Sequence, residues 1–189
     1  MKMFRCTLVP AITCLLMACT PAEGPDRLGT GLRQTVETCP RGDMPEAVVC
    51  QFYQYTLTAV DGLPSNAQQS TLAPSLSSEL RKQLNAARDY QQQQQRKFPD
   101  VAAPFSTGAL FSSRHEKPDH FEIAEVVVSE DGKTNVLVNF HYEAGDHRWQ
   151  DSVELTRENN RFVIKDIVFK ASEHLQAERL SIHLKRRDF

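Results

Sequence analysis

The sequence carries no excess of basic charge: 22 Lys+Arg stand against 24 Asp+Glu, a formal net charge of -2. Without a cationic footprint to neutralise phosphates, a nucleic-acid partner is excluded as the starting reading. It also lacks any CxxC pair, and its histidines, His115, His120, His141, His147, His174 and His183, are scattered, so neither a metal nor another cofactor is expected. A GxSxG nucleophile elbow is missing too, which leaves Ser112-Ser113 beside His115 as loop capping rather than hydrolase machinery. No segment after the first 19 residues reaches the ~18 consecutive apolar residues of a membrane span. At 189 residues the chain suits one modest domain plus processing or linker sequence.

What is present begins with an address. Residues 1–18 place Lys2 and Arg5 before an apolar stretch from Thr7 to Ala18 that is too short to remain as a membrane helix, which is a signal-peptide pattern. Its end, Leu16-Met17-Ala18-Cys19, resembles the bacterial lipobox, in which small residues precede a cysteine whose thiol takes a diacylglycerol and becomes the mature N-terminus. A membrane contact through lipid at Cys19 is therefore expected, and several acyl chains make such attachment durable. Thr20, where Asp would direct retention in the inner membrane, points to the periplasmic face of the outer membrane.

That address resolves the odd count of 5 Cys. Cys6 and Cys14 leave with the signal peptide, Cys19 is lipidated, and Cys39 and Cys50 remain as a pair expected to form a disulfide in an oxidising compartment. Residues 19–38, rich in Pro, Gly and polar side chains, read as a lipidated start and flexible tether. The folded domain is expected over 39–171, followed by a helical tail over 172–189.

Inside the domain the pattern changes once. Asp43 as N-cap, Pro45 in the first turn and Glu46 as capping-box partner open a helix with Val49, Phe52, Tyr53, Thr56, Leu57 and Val60 on one side, ended by Gly62 and Pro64. A second helix is expected from Pro74 to Gln95 with the stripe Leu76, Leu80, Leu84 and Ala87, its Gln91 to Gln95 run being a solvated last turn or loop. Phe105 to Phe111 reads as a short strand or an ordered loop. From Phe121 the period becomes two, with runs at 121–129, 134–143, 148–157 and 162–170 separated by turn residues Asp131-Gly132, Gly145-Asp146 and Asn159-Asn160. Helices followed by an antiparallel sheet of four or more strands define an α+β domain in which the helices cover one sheet face.

Short motifs along this frame carry a family likeness: Gln51-Phe52-Tyr53-Gln54-Tyr55, Leu72 through Leu76-Ser77 to Leu80, Phe111-Ser112-Ser113-Arg114, Trp149-Gln150-Asp151 with Val153, and Val163-Ile164-Lys165-Asp166. Together with the lipobox they resemble the YbjP-type lipoproteins of enterobacteria, a domain family of unknown function. The resemblance covers about residues 46 to 185 and implies an NTF2-like cone, in which a curved sheet wraps the N-terminal helix. It implies location and fold, but no reaction. The cysteine pairing and the polyglutamine run lie outside it.

Five residues stand out as a pocket or structural polar network: Asp151, Asp166, Arg114, Tyr53 and Trp149. Asp151 is in phase with Trp149, Val153 and Leu155, and Asp166 with Ile164 and Val168, so either carboxylate is a candidate for the interior, where an unpaired charge is costly. One reading makes them pocket acids or bases of a lyase or isomerase. The favoured one pairs them with Arg114, or with Tyr and Trp donors, to tie a loop to the sheet. Without a catalytic constellation, the leading expectation is a non-enzymatic lipoprotein that binds another envelope protein, as an accessory of an outer-membrane channel assembly. The alternative is a small-ligand-binding module using the cone's interior.

Overall fold

The computed structural model describes residues 39–170 and 178–187. The signal peptide, Cys19 and the tether lie outside the described residues, as do residues 171–177, 188 and 189.

Helix α1 spans Pro45–Ala59 and buries Val49, Phe52, Tyr53 and Thr56. The N-cap is Met44 in extended conformation with no side-chain cap, not Asp43. The Asp43 carboxylate instead lies 3.3 Å from Arg161, and Pro45, which has no N–H to satisfy, lowers the need for a cap. Cys39 and Cys50 are bonded, with their Cα atoms 5.5 Å apart. This staple ties the start of the described chain to the middle of α1. The helix gives way at Val60, and the following turn runs through Gly62 at φ 63°. A Cβ on Gly62 would overlap the Phe105 carbonyl, so only glycine fits this approach.

The helix expected over Pro74 to Gln95 begins instead at Ser78, and a separate short helix that was not expected precedes it. Helix α2, Asn66–Leu72, starts with a reciprocal capping box between Ser65 and Gln68. A 3₁₀ turn follows at Ala73–Ser75, and Leu76 is extended at φ -109°, ψ 140°. Leu76 bridges Ile164 of the sheet, and the Ser77 N–H donates to the Ile164 carbonyl at 2.9 Å. Sheet contact thus wins over helical period at Leu76. Ser77 then caps α3, Ser78–Lys97, its hydroxyl accepting from Leu80 N at 3.1 Å. The Gln91 to Gln95 run lies in the last turns of α3, the helical one of the two alternatives. Gln91 and Gln95 donate to the carbonyls of Pro104 and Pro99 at 2.7 and 3.1 Å, fastening the chain that leaves the helix.

The sheet is a five-stranded antiparallel meander in the order β1-β2-β3-β4-β5: His120–Val128, Thr134–Tyr142, His147–Glu158, Arg161–Phe169 and Glu178–Arg179. Its turns fall at the expected residues, with Gly132, Asp146, Asn159 and Asn160 all at positive φ, where glycine and Asn/Asp side chains are tolerated. One face presents Val136, Val138, Phe140, Val153, Leu155, Ile164 and Ile167 to a core shared with α1 and α3. This is an α+β domain with an open sheet covered on one face.

The register of β3 against β4 corrects one expectation. Glu154 faces Asp166 while Leu155 faces Ile164, so Lys165 is the extra residue of a bulge. Ile164 and Ile167 share the core face, and Asp166 falls on the opposite, outer face with Glu154. Where a peripheral tail helix was expected, the described residues show β5 and the four-residue α4, Leu180–His183. Leu180 and Leu184 are buried in the main core, so this end of the chain is part of the domain.

Candidate functional site

The inner face of the sheet carries an aromatic cluster. Tyr53 meets Phe52, Phe140 and Phe121 with ring centroids 5.1, 5.0 and 5.8 Å away, Phe52 meets Phe111 at 5.0 Å, and Trp149 stacks on Phe140 at 5.5 Å. The space left beside Tyr53, Thr56 and Phe111 is about 10 Å³, roughly one probe sphere of water. This part of the interior is filled by side chains.

Three polar groups emerge from that cluster and grip successive residues of one loop. Tyr53 Oη donates to the Phe111 carbonyl at 3.0 Å, Trp149 Nε1 donates to Ser112 Oγ at 2.9 Å, and the Ser113 N–H donates to Asp151 Oδ2 at 2.9 Å. Asp151 Oδ1 accepts from the Lys170 N–H at 3.2 Å, so the same carboxylate ties the loop to the end of β4. Asp151 has no exposed surface. Burial pushes its carboxyl above the ordinary aspartate range, and the bonds from Ser113 and Lys170 offset this only in part. Burial, with the nearby Asp151 charge second, also pushes the Tyr53 phenol well up, so it stays a donor.

Arg114 does not reach either aspartate, contrary to one pairing considered from the sequence. It lies over the Trp149 ring at 5.7 Å and pairs with Glu116 at 3.4 Å. Asp166, on the outer face, forms a separate cluster: Arg179 Nη1 lies 2.7 Å from Glu154 and 3.3 Å from Asp166, Lys165 lies 2.6 Å from Glu154, and the Ser181 hydroxyl donates to Asp166 at 2.6 Å. Burial raises the Glu154 carboxyl, but the bonds from Lys165 and Arg179 outweigh it and hold the group below its ordinary value. Of the five residues singled out from sequence, Tyr53, Trp149 and Asp151 converge on the loop, Arg114 belongs to the loop itself, and Asp166 is elsewhere.

The gripped loop walls a cleft of about 430 Å³. One wall is the chain from Ala102 to His115; the other is Phe169, Glu178 and His183 from β4, β5 and α4. Phe105 is held at φ 55°, an uncommon conformation for a bulky residue, and its ring meets His183 edge-on at 5.3 Å. Phe169 meets the same imidazole at 6.3 Å. Burial lowers the His183 pKa, with Glu178 opposing and Arg186 adding to the shift, so the ring favours its neutral form. Gly108, at φ 91°, is packed so tightly on His115 that a Cβ would collide with the imidazole, and its N–H is held by Asp61 at 2.7 Å. The result is a fixed, half-apolar recess offering Arg114, His115 and neutral His183.

Sequence reading missed Glu178, His183 and the cleft itself, because residues distant along the chain meet only in the fold. The Pro99, Pro104 and Gly108 spacing was the local signal that the loop is shaped. Among the described residues, no group of three His, Cys, Asp or Glu side chains is placed to hold a metal ion, and no helix is long and apolar enough to cross a membrane. No protein-family model, curated protein or solved structure matches the chain.

Proposed function

We propose that the chain is a non-catalytic lipoprotein of the YbjP type, anchored through Cys19 to the periplasmic face of the outer membrane, whose NTF2-like domain binds another envelope protein. In this reading it serves as an accessory of an outer-membrane channel assembly. The observation that carries it is the use of the inward polar groups. Tyr53, Trp149 and Asp151 are bonded to the 111–113 loop beneath a filled aromatic layer, so what the domain offers is an outward cleft of fixed shape. Preorganisation of this kind lowers the entropy lost on association. Asp151, fully buried with both oxygens accepting main-chain N–H groups, supports an architectural carboxylate over a proton-abstracting base. The Cys39–Cys50 bond supports an oxidising compartment.

The test places a photo-crosslinking residue at exposed Thr107 on the cleft wall, in intact cells, with Lys133 on a distant turn as the control position. A discrete protein adduct from Thr107 alone, lost when Cys19→Ser removes the anchor, is the expected result. Absence of any discrete adduct would overturn the reading. A second reading, a small-ligand module, is favoured by one observation: the cleft's 430 Å³ lies within the size range of ligand pockets. It differs from the sequence expectation in using the outer cleft rather than the interior under the sheet.

A further inference from the structure

We propose a second binding site, in the groove between α2 and α3, for a phosphoryl group carried on a hydroxyl-rich molecule. The groove holds about 520 Å³ and is lined by Asn66, Gln69, Ser70, Ala73 and, from the start of α3, Ser78, Arg81, Lys82 and Asn85. Two of these side chains are cationic, Ala73 is the single apolar one, and no carboxylate is among the described lining residues.

The donors in this groove are left over by the packing behind it. Arg88, nine per cent exposed, sits beneath α2 and donates to the Gln69 side-chain carbonyl at 3.2 Å, to the Asn66 side-chain carbonyl and to the Pro64 carbonyl. Because Arg88 takes both amide oxygens, the amide nitrogens of Asn66 and Gln69 are the ends left to act as donors. Among the described residues Gln69 Nε2 is buried and has no hydrogen-bond partner, and the same is true of Arg81 Nε. Two buried N–H groups without partners in one groove are unusual, since such groups in folded proteins are normally satisfied. The Glu158 carboxylate beside Ser78 is already engaged by the Ser78 N–H and hydroxyl at 3.0 Å each.

The chemistry of the occupant follows from the donor set. A guanidinium offers the planar fork that suits phosphate oxygens, and Lys82 adds a mobile second charge. The groove is much larger than a bare anion needs, and its remaining walls are amides and hydroxyls, which pair with sugar or glycerol hydroxyls rather than with an acyl chain. A phosphate monoester of a soluble polyol and the phosphodiester of a glycerolipid headgroup share this chemistry.

Isothermal titration of the full-length protein with inorganic phosphate, glycerol phosphate and glycerophosphoglycerol tests the site and separates the two sources. Saturable binding of at least one organic probe, weakened about tenfold or more by Arg81→Gln and left unchanged by Lys133→Gln on a distant turn, is expected. Preference for the monoester marks a soluble ligand; preference for the diester marks a lipid headgroup. Should Arg81→Gln fail to fold, Gln69→Ala removes the other unpartnered donor and carries the same expectation. No saturable heat with any probe, or equal affinity in a folded Arg81→Gln or Gln69→Ala variant, overturns the proposal.

Discussion

Asp151 and Glu154 are neighbours on β3, both buried, yet they face opposite sides of the sheet and are held in opposite ways. On the core face the Asp151 carboxylate accepts from neutral groups, chiefly the main-chain N–H groups of Ser113 and Lys170, and burial leaves it with a raised pKa. On the outer face Glu154 meets two cations, Lys165 and Arg179, which hold its pKa down despite burial. The first arrangement fixes a loop and shapes a cleft; the second sews the C-terminal β5 and α4 onto the sheet. Buried polar groups in this domain therefore serve two kinds of architecture, one with charge compensation and one without.

The largest expected effect that sharpens this contrast is on the core side. Tyr53→Ala removes a fully buried ring that contacts Phe52, Phe121 and Phe140 and also holds Phe111, and should lower unfolding free energy by about 4 kcal/mol in chemical denaturation. On the outer side, Arg179→Ala removes the cation paired with Asp166 and, among the described residues, leaves Glu154 paired with Lys165. A buried ion pair broken from one side costs about 3 kcal/mol or more, but the Arg179 side chain is 44% exposed, so about 2 kcal/mol is expected. Trp149→Phe keeps the stack on Phe140 and deletes the bond to Ser112, for about 1 kcal/mol by thermal melting.

The subtlest effects are in pH dependence, and their signs are opposite. A raised folded-state pKa means that native Asp151 holds its proton more tightly than the unfolded chain does. Its contribution to stability is greatest below the ordinary aspartate pKa of about 4 and is lost as pH rises through the higher folded value. Wild type should therefore lose stability relative to Asp151→Asn on going from pH about 4 towards neutrality. Glu154 behaves in reverse: its contribution is present above the ordinary glutamate pKa of about 4.3 and disappears as pH falls through the lower folded value, so wild type should lose its advantage over Glu154→Gln on acidification. Denaturation midpoints of both pairs across that range check the two signs, and parallel slopes would break the comparison.

Much of the frame was legible in the residues. Alternation from Phe121 onward and turn pairs such as Asn159-Asn160 located the first four strands to within a residue or two, because period two and positive-φ turn residues are local properties. The inward phase of Asp151 beside Trp149 and Val153 was legible for the same reason. Asp166 was not, because the bulge at Lys165 inverts the phase and nothing local announces it. The Leu76 stripe misled in a related way: its spacing is helical, but pairing with Ile164 pulls Leu76 extended and moves the start of the helix from Pro74 to Ser78. Arg179 and Ser181, which complete the outer cluster, and His183, which closes the cleft, come from the far end of the chain. Their roles depend on tertiary contacts that single-sequence periodicity does not encode.

The loop over residues 111–113 is held from within by the core-face groups, so that the cleft it walls is preformed. Amide hydrogen exchange in wild type and Asp151→Ala tests this most directly. The Ser113 and Lys170 amides should be protected in wild type and exchange much faster in the variant, while the Ser181 amide, bonded to Asp166 on the other face at 3.0 Å, keeps its protection. Unchanged protection at Ser113, or a uniform loss at Ser113 and Ser181 alike, would contradict it.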